Sequence, residues 1–163
     1  MQAKITALVD RHIVSPAFEH SVFTTTEISS CDVPTHSHKN YSGGLNTMEV
    51  ITSLGTYDHQ RGGHIVLWDE NKVIELPSGA TVMFVAGSKR YSFIPVARGQ
   101  ERFLFRQFCN AGVLRWIEKG GKSDKEFETF VSPEVIAAWN EKRAGRGAAS
   151  AKLFTKLKDI FVL

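Results

Sequence analysis

Cysteine is scarce in this chain. Only Cys31 and Cys109 occur in 163 residues, far apart and without a CxxC or Cys/His finger spacing. That spacing excludes a disulfide framework and a structural zinc site, and makes a reducing, intracellular compartment the expectation. Long apolar runs are missing as well. The stretch from Met1 to Asp10 carries Lys4 and Asp10, and nothing elsewhere reaches the length of a membrane span, so neither a signal peptide nor a membrane partner is predicted. No GxGxxG or GKS/T follows a strand, which leaves Ser42, Gly43 and Gly44 as a loop signal rather than a phosphate cradle. The absence of a GxSxG elbow speaks against a hydrolase. Internal repeats and low-complexity segments are also missing.

What the chain does have is apolar substance. With 42% hydrophobic residues over 163 positions, a single domain with a sizeable core is expected, with a β core over 20–110 and C-terminal helices over 111–163. The net charge is +3, and residues 141–163 hold six Lys/Arg against two acids. That basic end is a candidate DNA contact, weighed against the plainer reading of a solvated helix face.

Strand signals dominate the first two thirds. Ser21 to Ser29 is rich in β-branched residues, and Glu49 to Leu54 continues in the same style. After DHQRGG (Asp58 to Gly63), His64 to Trp68 and Lys72 to Leu76 stand at hairpin spacing across Asp69, Glu70 and Asn71. Thr81 to Val85 is apolar on both faces and predicts a strand covered on each side. Tyr91 to Val96 and Arg102 to Phe108 complete the series. Strands at this pitch with no helix between them predict a mostly β (α+β) sandwich or jelly roll.

Beyond Phe108 the period changes. Val113, Leu114, Trp116 and Ile117 recur at helical spacing before Gly120, Ser123 with Glu126 has the form of a capping box, and Ser132-Pro133-Glu134 starts another helix. AGRGAAS (Ala144 to Ser150) is expected to be a small flexible gap, followed by a last amphipathic helix through Leu153, Leu157 and Ile160. Trp68 and Trp116, with Phe103, Phe105 and Phe108, are expected in the core rather than as a base-stacking platform.

Three segments carry a resemblance: GGHIVLWDENKVIELPSGAT (Gly62 to Thr81), GQERFLFRQF (Gly99 to Phe108) and AGVLRWIEKGG (Ala111 to Gly121). They resemble a fungal family of oxygenase-like proteins that accompanies Kyakuja-Dileera-Zisupton transposons within the TET/JBP group of 2-oxoglutarate and iron(II) dioxygenases. The similarity runs from about His38 to Gly121, and KLFTKLKDI (Lys152 to Ile160) resembles the family's ending. It implies a double-stranded β-helix, with active relatives that oxidise methylated bases in DNA.

The resemblance also implies a ligand set. Such enzymes hold iron with two imidazoles and one carboxylate. Here the His-x-Asp pair reads His38, Lys39, Asn40, and the distal histidine falls on Tyr91. A neutral amide replaces the carboxylate, and a phenol with an ordinary pKa near 10 replaces an imidazole. Only His38 keeps its type, which argues against bound iron(II). Arg102 matches the arginine that clamps the far carboxylate of 2-oxoglutarate, so that co-substrate is the cofactor to expect, with Arg106 on the same strand face by period two. The plainer alternative pairs Arg102 with an acid such as Glu101 or Glu75.

His36 and His38 also form a His-x-His pair on an extended segment, but no glutamate or later histidine completes a cupin set, and exposed loop histidines are the preferred reading. His64 is read as structural. Two functions of different class follow. One is a dioxygenase oxidising methylated bases in DNA, located in the nucleus. The other, which the substituted positions favour, is a pseudoenzyme retained as a binding module.

Overall fold

The structure is a computed structural model that describes residues 18, 21–30, 36–152 and 154. The chain divides into two compact units, Met1–Ala111 and Gly112–Leu163.

The first unit consists of strands. They are β1 (Thr25–Ser30), β2 (Glu49–Thr56), β3 (Ile65–Leu67), β4 (Lys72–Ile74), β5 (Thr81–Phe84), β6 (Tyr91–Phe93) and β7 (Glu101–Phe108). β1 starts later than the β-branched run suggests, because the Ser21 hydroxyl accepts from the Phe23 amide and bends the chain there. β3 and β4 are joined by a 3-10 turn, Trp68–Glu70, closed by Asn71 in the left-handed region at φ 52°. Asparagine tolerates that conformation better than most residues, which is why DEN makes this hairpin.

All pairings are antiparallel. One sheet has the order β1-β7-β2-β5, and the other has β4-β3-β6. An isolated bridge between His38 and Tyr91 adds a residual strand beside β6. Counting that bridge as the second of eight, the sheets read 1-8-3-6 and 5-4-7-2. The pairs 1-8, 2-7, 3-6 and 4-5 are those of a jelly roll, the double-stranded β-helix, built as two facing layers.

The core lies between the layers. Ile51 and Leu104 come from one sheet and Ile65, Tyr91 and Phe93 from the other, with Val82, Phe84, Leu67 and Ile74 packed around them. β5 departs from expectation: Met83 is 60% exposed. As the outermost strand of its sheet it turns only Val82 and Phe84 inward, so its apolar residues do not mark a doubly covered strand. Trp68 is likewise 48% exposed, because Ile65 and Leu67 take the inward phase of β3. Its Nε1 donates to Ser92 Oγ at 3.0 Å. Phe103, also half-exposed, sits on the outward phase of β7, so of the aromatics expected in the core on that strand only Phe108 is fully buried.

The second unit is helical. α1 (Ala111–Glu118) ends where Gly120, at φ 68°, lets its amide and that of Gly121 return to the carbonyls of Ile117 and Trp116. α2 (Asp124–Phe130) carries the expected capping box: Ser123 accepts from the Glu126 amide at 3.2 Å, and the Glu126 carboxylate accepts from the Ser123 amide at 2.8 Å. α3 (Pro133–Ala151) starts at Pro133 and runs through AGRGAAS without a break. The expected flexible gap is therefore helix. Alanine is the best helix former, and four alanines near Gly145 and Gly147 outweigh their cost. The helix expected from Leu153 onward lies, apart from Phe154, outside the described residues. Among the described residues no helix is long and apolar enough to cross a membrane.

The hydrogen bonds from the Ser123 side chain and amide hold the Glu126 carboxyl below its ordinary range. A depressed folded value means that this cap stabilises α2 above the unfolded pKa and is lost as pH falls through the folded one. Ser123→Ala should destabilise α2 by about 1 kcal/mol and return the Glu126 titration toward its ordinary position. NMR titration of the Glu126 side chain checks this, and an unmoved midpoint would contradict it.

Candidate functional site

β7 is the wall on which the site is built. Its inward phase reads Arg102, Leu104, Arg106, Phe108, placing two arginines on one face with their backbones roughly 13 Å apart along the strand. The ladder register decides what each one meets. Glu27 of β1 lies directly opposite Arg106, while Ile51 of β2 lies opposite on the other side with Glu49 one inward step away. Two acids from two strands thus converge on one arginine.

Glu49 is 1% exposed, so its charge must be met inside the protein. Arg106 meets it twice: Nε donates to Oε1 at 2.8 Å, and Nη2 lies 2.6 Å from the same oxygen. The other oxygen, Oε2, accepts from Asn40 Nδ2 at 2.7 Å. Arg106 Nη1 reaches Glu27 Oε2 at 3.0 Å, and Nη2 also donates to the Tyr91 hydroxyl at 3.1 Å. Burial works against charge on Arg106, yet Tyr91, Glu49 and Glu27 together outweigh it and hold its pKa above the ordinary value.

The three positions singled out in the sequence do come together here. His38 and Tyr91 exchange backbone hydrogen bonds at 3.0 and 2.9 Å, and their rings lie 4.5 Å apart. His38 Nδ1 is 2.8 Å from the His36 carbonyl oxygen. That oxygen can only accept, so Nδ1 carries a proton, and in the neutral ring the lone pair is on Nε2. Asn40 is committed at both ends, since Oδ1 accepts from the amides of Ser42 and Gly43 at 3.1 and 3.3 Å while Nδ2 serves Glu49. Tyr91 is fully buried, and burial followed by the nearby Glu49 charge pushes its phenol well above its ordinary pKa. It stays protonated at any physiological pH.

Arg102 sits farther along the same wall at 1% exposure, its Nη1 donating to the Ile94 carbonyl at 3.3 Å and its guanidinium 5.2 Å from the Phe93 ring centre. Gly63 makes room for it: at φ 75°, a Cβ there would strike the Tyr57 ring at 2.6 Å and come within 3.4 Å of Arg102 Nη1. A cleft of about 350 Å³ is lined by Glu27, His38, Asn40 and Arg106, with Lys39 and the exposed Tyr41 beside them. Arg102 does not line it. His36 is exposed and His64 lies apart from the cleft, and among the described residues no group of three His, Cys, Asp or Glu side chains converges as a metal site.

Sequence reading missed Glu49. Its signal was available, as a lone acid on the inward phase of β2 with Ile51 and Ser53. In the basic C-terminal segment, Arg146 and Lys142 pair with Glu118 at 3.1 and 3.6 Å, and most of residues 153–163 lies outside the described residues.

No family model and no curated protein matches the chain. Among solved structures it is similar to one titled "NgTET1 in complex with 5mC DNA", at 18% identity and a TM-score of 0.44, over 55% of this chain and 34% of that one.

The hydrogen bonds explain why an amide stands at position 40. An aspartate could still accept from Ser42 and Gly43, but it could not donate to Glu49 and would bring a second negative charge against it. Asn40→Asp should therefore destabilise the protein by about 3 kcal/mol at neutral pH. Denaturant unfolding measures this, and a variant as stable as the parent would contradict the arrangement.

Proposed function

We propose that this chain is a 2-oxoglutarate/iron(II) dioxygenase-like protein of the TET/JBP type, of the fungal transposon-associated kind that its segments resemble. On this reading its metal site is substituted, and it works as a pseudoenzyme, a binding module. The observation that carries the proposal is the guanidinium of Arg106, hydrogen-bonded to Glu49 and Tyr91 where the ligand positions His38, Asn40 and Tyr91 converge.

Ferrous iron asks for two imidazoles and a carboxylate with free lone pairs. Of the three positions, His38 alone offers one, through Nε2. Asn40 is neutral and engaged at both ends, and Tyr91 is a protonated phenol that already accepts from Arg106. Glu49 has the right chemistry, but both of its oxygens are taken. This donor set does not fit iron(II), and oxidation of a methylated base does not follow from it.

The ligand class that fits the retained arginine is a dicarboxylate such as 2-oxoglutarate. A guanidinium withdrawn from water at Arg102 would bind a carboxylate more strongly than one at the surface. Phe93 would pack against the ligand's carbon chain. Contact with DNA through the segment from Glu141 onward belongs to the same proposal, and with it a nuclear location. The pairing of Lys142 and Arg146 with Glu118 reduces the charge this segment can offer to phosphates.

Anaerobic calorimetry with iron(II) should show no stoichiometric binding. One-to-one binding that His38→Ala removes would restore the reading as an active dioxygenase. Affinity for 2-oxoglutarate should fall at least about tenfold in Arg102→Ala, and unchanged affinity would remove Arg102 from the site. DNA binding by the basic segment should weaken steeply between low and physiological salt, and a flat salt dependence would exclude it.

A further inference from the structure

We infer that residues 1–17 dock on the outer face of the four-stranded sheet, where an uncharged apolar surface crosses β1, β7, β2 and β5 and Phe18 already rests.

The ladder register defines that surface. Its apolar residues are Ile28 on β1, Phe103 and Phe105 on β7, Val50 and Leu54 on β2, and Met83 on β5. Leu54 lies opposite Phe103, Ile28 opposite Phe105 and Val50 opposite Met83, so these side chains are neighbours across the strands. Ile28, Leu54, Met83 and Phe103 are between 39% and 69% exposed. The other positions of this phase are threonine, serine and glutamine, and its one charge, Glu101, stands at the end of β7. A sheet face turned to water ordinarily carries polar residues, whereas an apolar patch of this breadth marks a contact surface.

The course of the chain says what covers it. Ahead of β1 the backbone runs past the end of β7, where the Asn110 amide donates to Thr24 Oγ1 at 2.8 Å and Cys109 Sγ donates to the Val22 carbonyl at 3.4 Å. There it turns back, with the Ser21 amide donating to the Phe18 carbonyl at 3.1 Å. Phe18 thereby lands on the outward phase, its ring edge-on to Phe105 with centroids 5.7 Å apart. The residues before Phe18 therefore enter at the patch. Their composition suits it: Ile5, Leu8, Val9 and Ile13 recur at i, i+3, i+4 and i+8, the spacing of a helical stripe, and Lys4, Asp10 and Arg11 fall outside that stripe. As a helix, residues 5–13 would extend about 13 Å. Three strand spacings separate β1 from β5, about 14 Å. β7 carries Phe103 and Phe105 on this side and Arg102 and Arg106 on the other, so the docked segment backs the strand on which the cleft is built.

Trypsin cuts after Lys4 and Arg11 when the segment is undocked, so limited proteolysis of the full chain, with the cuts identified by mass spectrometry, reports docking. Cleavage after Arg11 should be about tenfold faster in Leu8→Asp than in the parent, and equally so in Ile28→Ser/Phe103→Ser. Combining the three changes should add little, because either set already removes the contact. Val73→Ser on β4, at a position 59% exposed on the other sheet, should leave the rate unchanged and controls for general loosening. Leu8→Asp lies outside the sheet, so it keeps the test decisive if the sheet variant does not fold. Cleavage after Arg11 at one rate in the parent and in Leu8→Asp would overturn the inference. So would concentration-dependent dimerisation of the parent in sedimentation, abolished by Ile28→Ser/Phe103→Ser, which would give the face to a second copy of the chain.

Discussion

The ion pair between Arg106 and Glu49 is the constraint around which the first unit is organised. A carboxylate at 1% exposure is tolerable only when every lone pair facing the interior is met. Arg106 supplies two contacts to one oxygen, and Asn40 supplies the third to the other. The identity of the neighbouring side chains follows from that requirement. Position 40 needs a donor and therefore an amide, and the hydroxyl at position 91 accepts from the same guanidinium, which a protonated phenol can do.

Such a pair is no evidence of great stability, since burying two charges costs about as much as their attraction returns. Its consequence is specificity of register. Sliding β2 or β7 by one residue would turn Glu49 or Arg106 outward and strand its partner in the interior. The apolar middle of the sandwich, Ile51, Ile65 and Leu104, tolerates such shifts less selectively, because one apolar side chain can replace another. The polar end thus pins an alignment that the apolar centre only favours. The same strand carries Arg102 four residues back, and Leu104 between them joins the core. One wall therefore presents two separate cations: Arg106 beside an open cleft, and Arg102 closed in by Phe93 and Ile94.

Much of the fold was legible in the residues. Alternation and β-branching located every strand to within a few positions, the DEN turn located the hairpin, and Ser123 with Glu126 and Ser132 with Pro133 located two helix starts. These signals are local, and the physics they report is local: turn conformations, caps and period. The errors were of the opposite kind. Met83 and Trp68 look like core from composition, but their exposure depends on which strand lies at an edge and which phase faces inward. AGRGAAS looks like a linker because glycine suggests breaks, but its alanines sustain the helix. At the site, the convergence of His38, Asn40 and Tyr91 was anticipated through a resemblance. The role of Arg106 was only half visible, as a second cation on the face of Arg102.

By itself, then, the sequence determined the strand series, the helix starts and the presence of an amide at position 40 and a phenol at position 91, because each of these is a property of neighbouring residues or of single side chains. Only the tertiary structure decided that Glu27 and Glu49 meet Arg106, and that Arg106 rather than Arg102 lines the cleft. These contacts join residues 79 and 57 positions apart. No local pattern carries that information, since strand register is set by the simultaneous satisfaction of buried charges and core packing across both sheets.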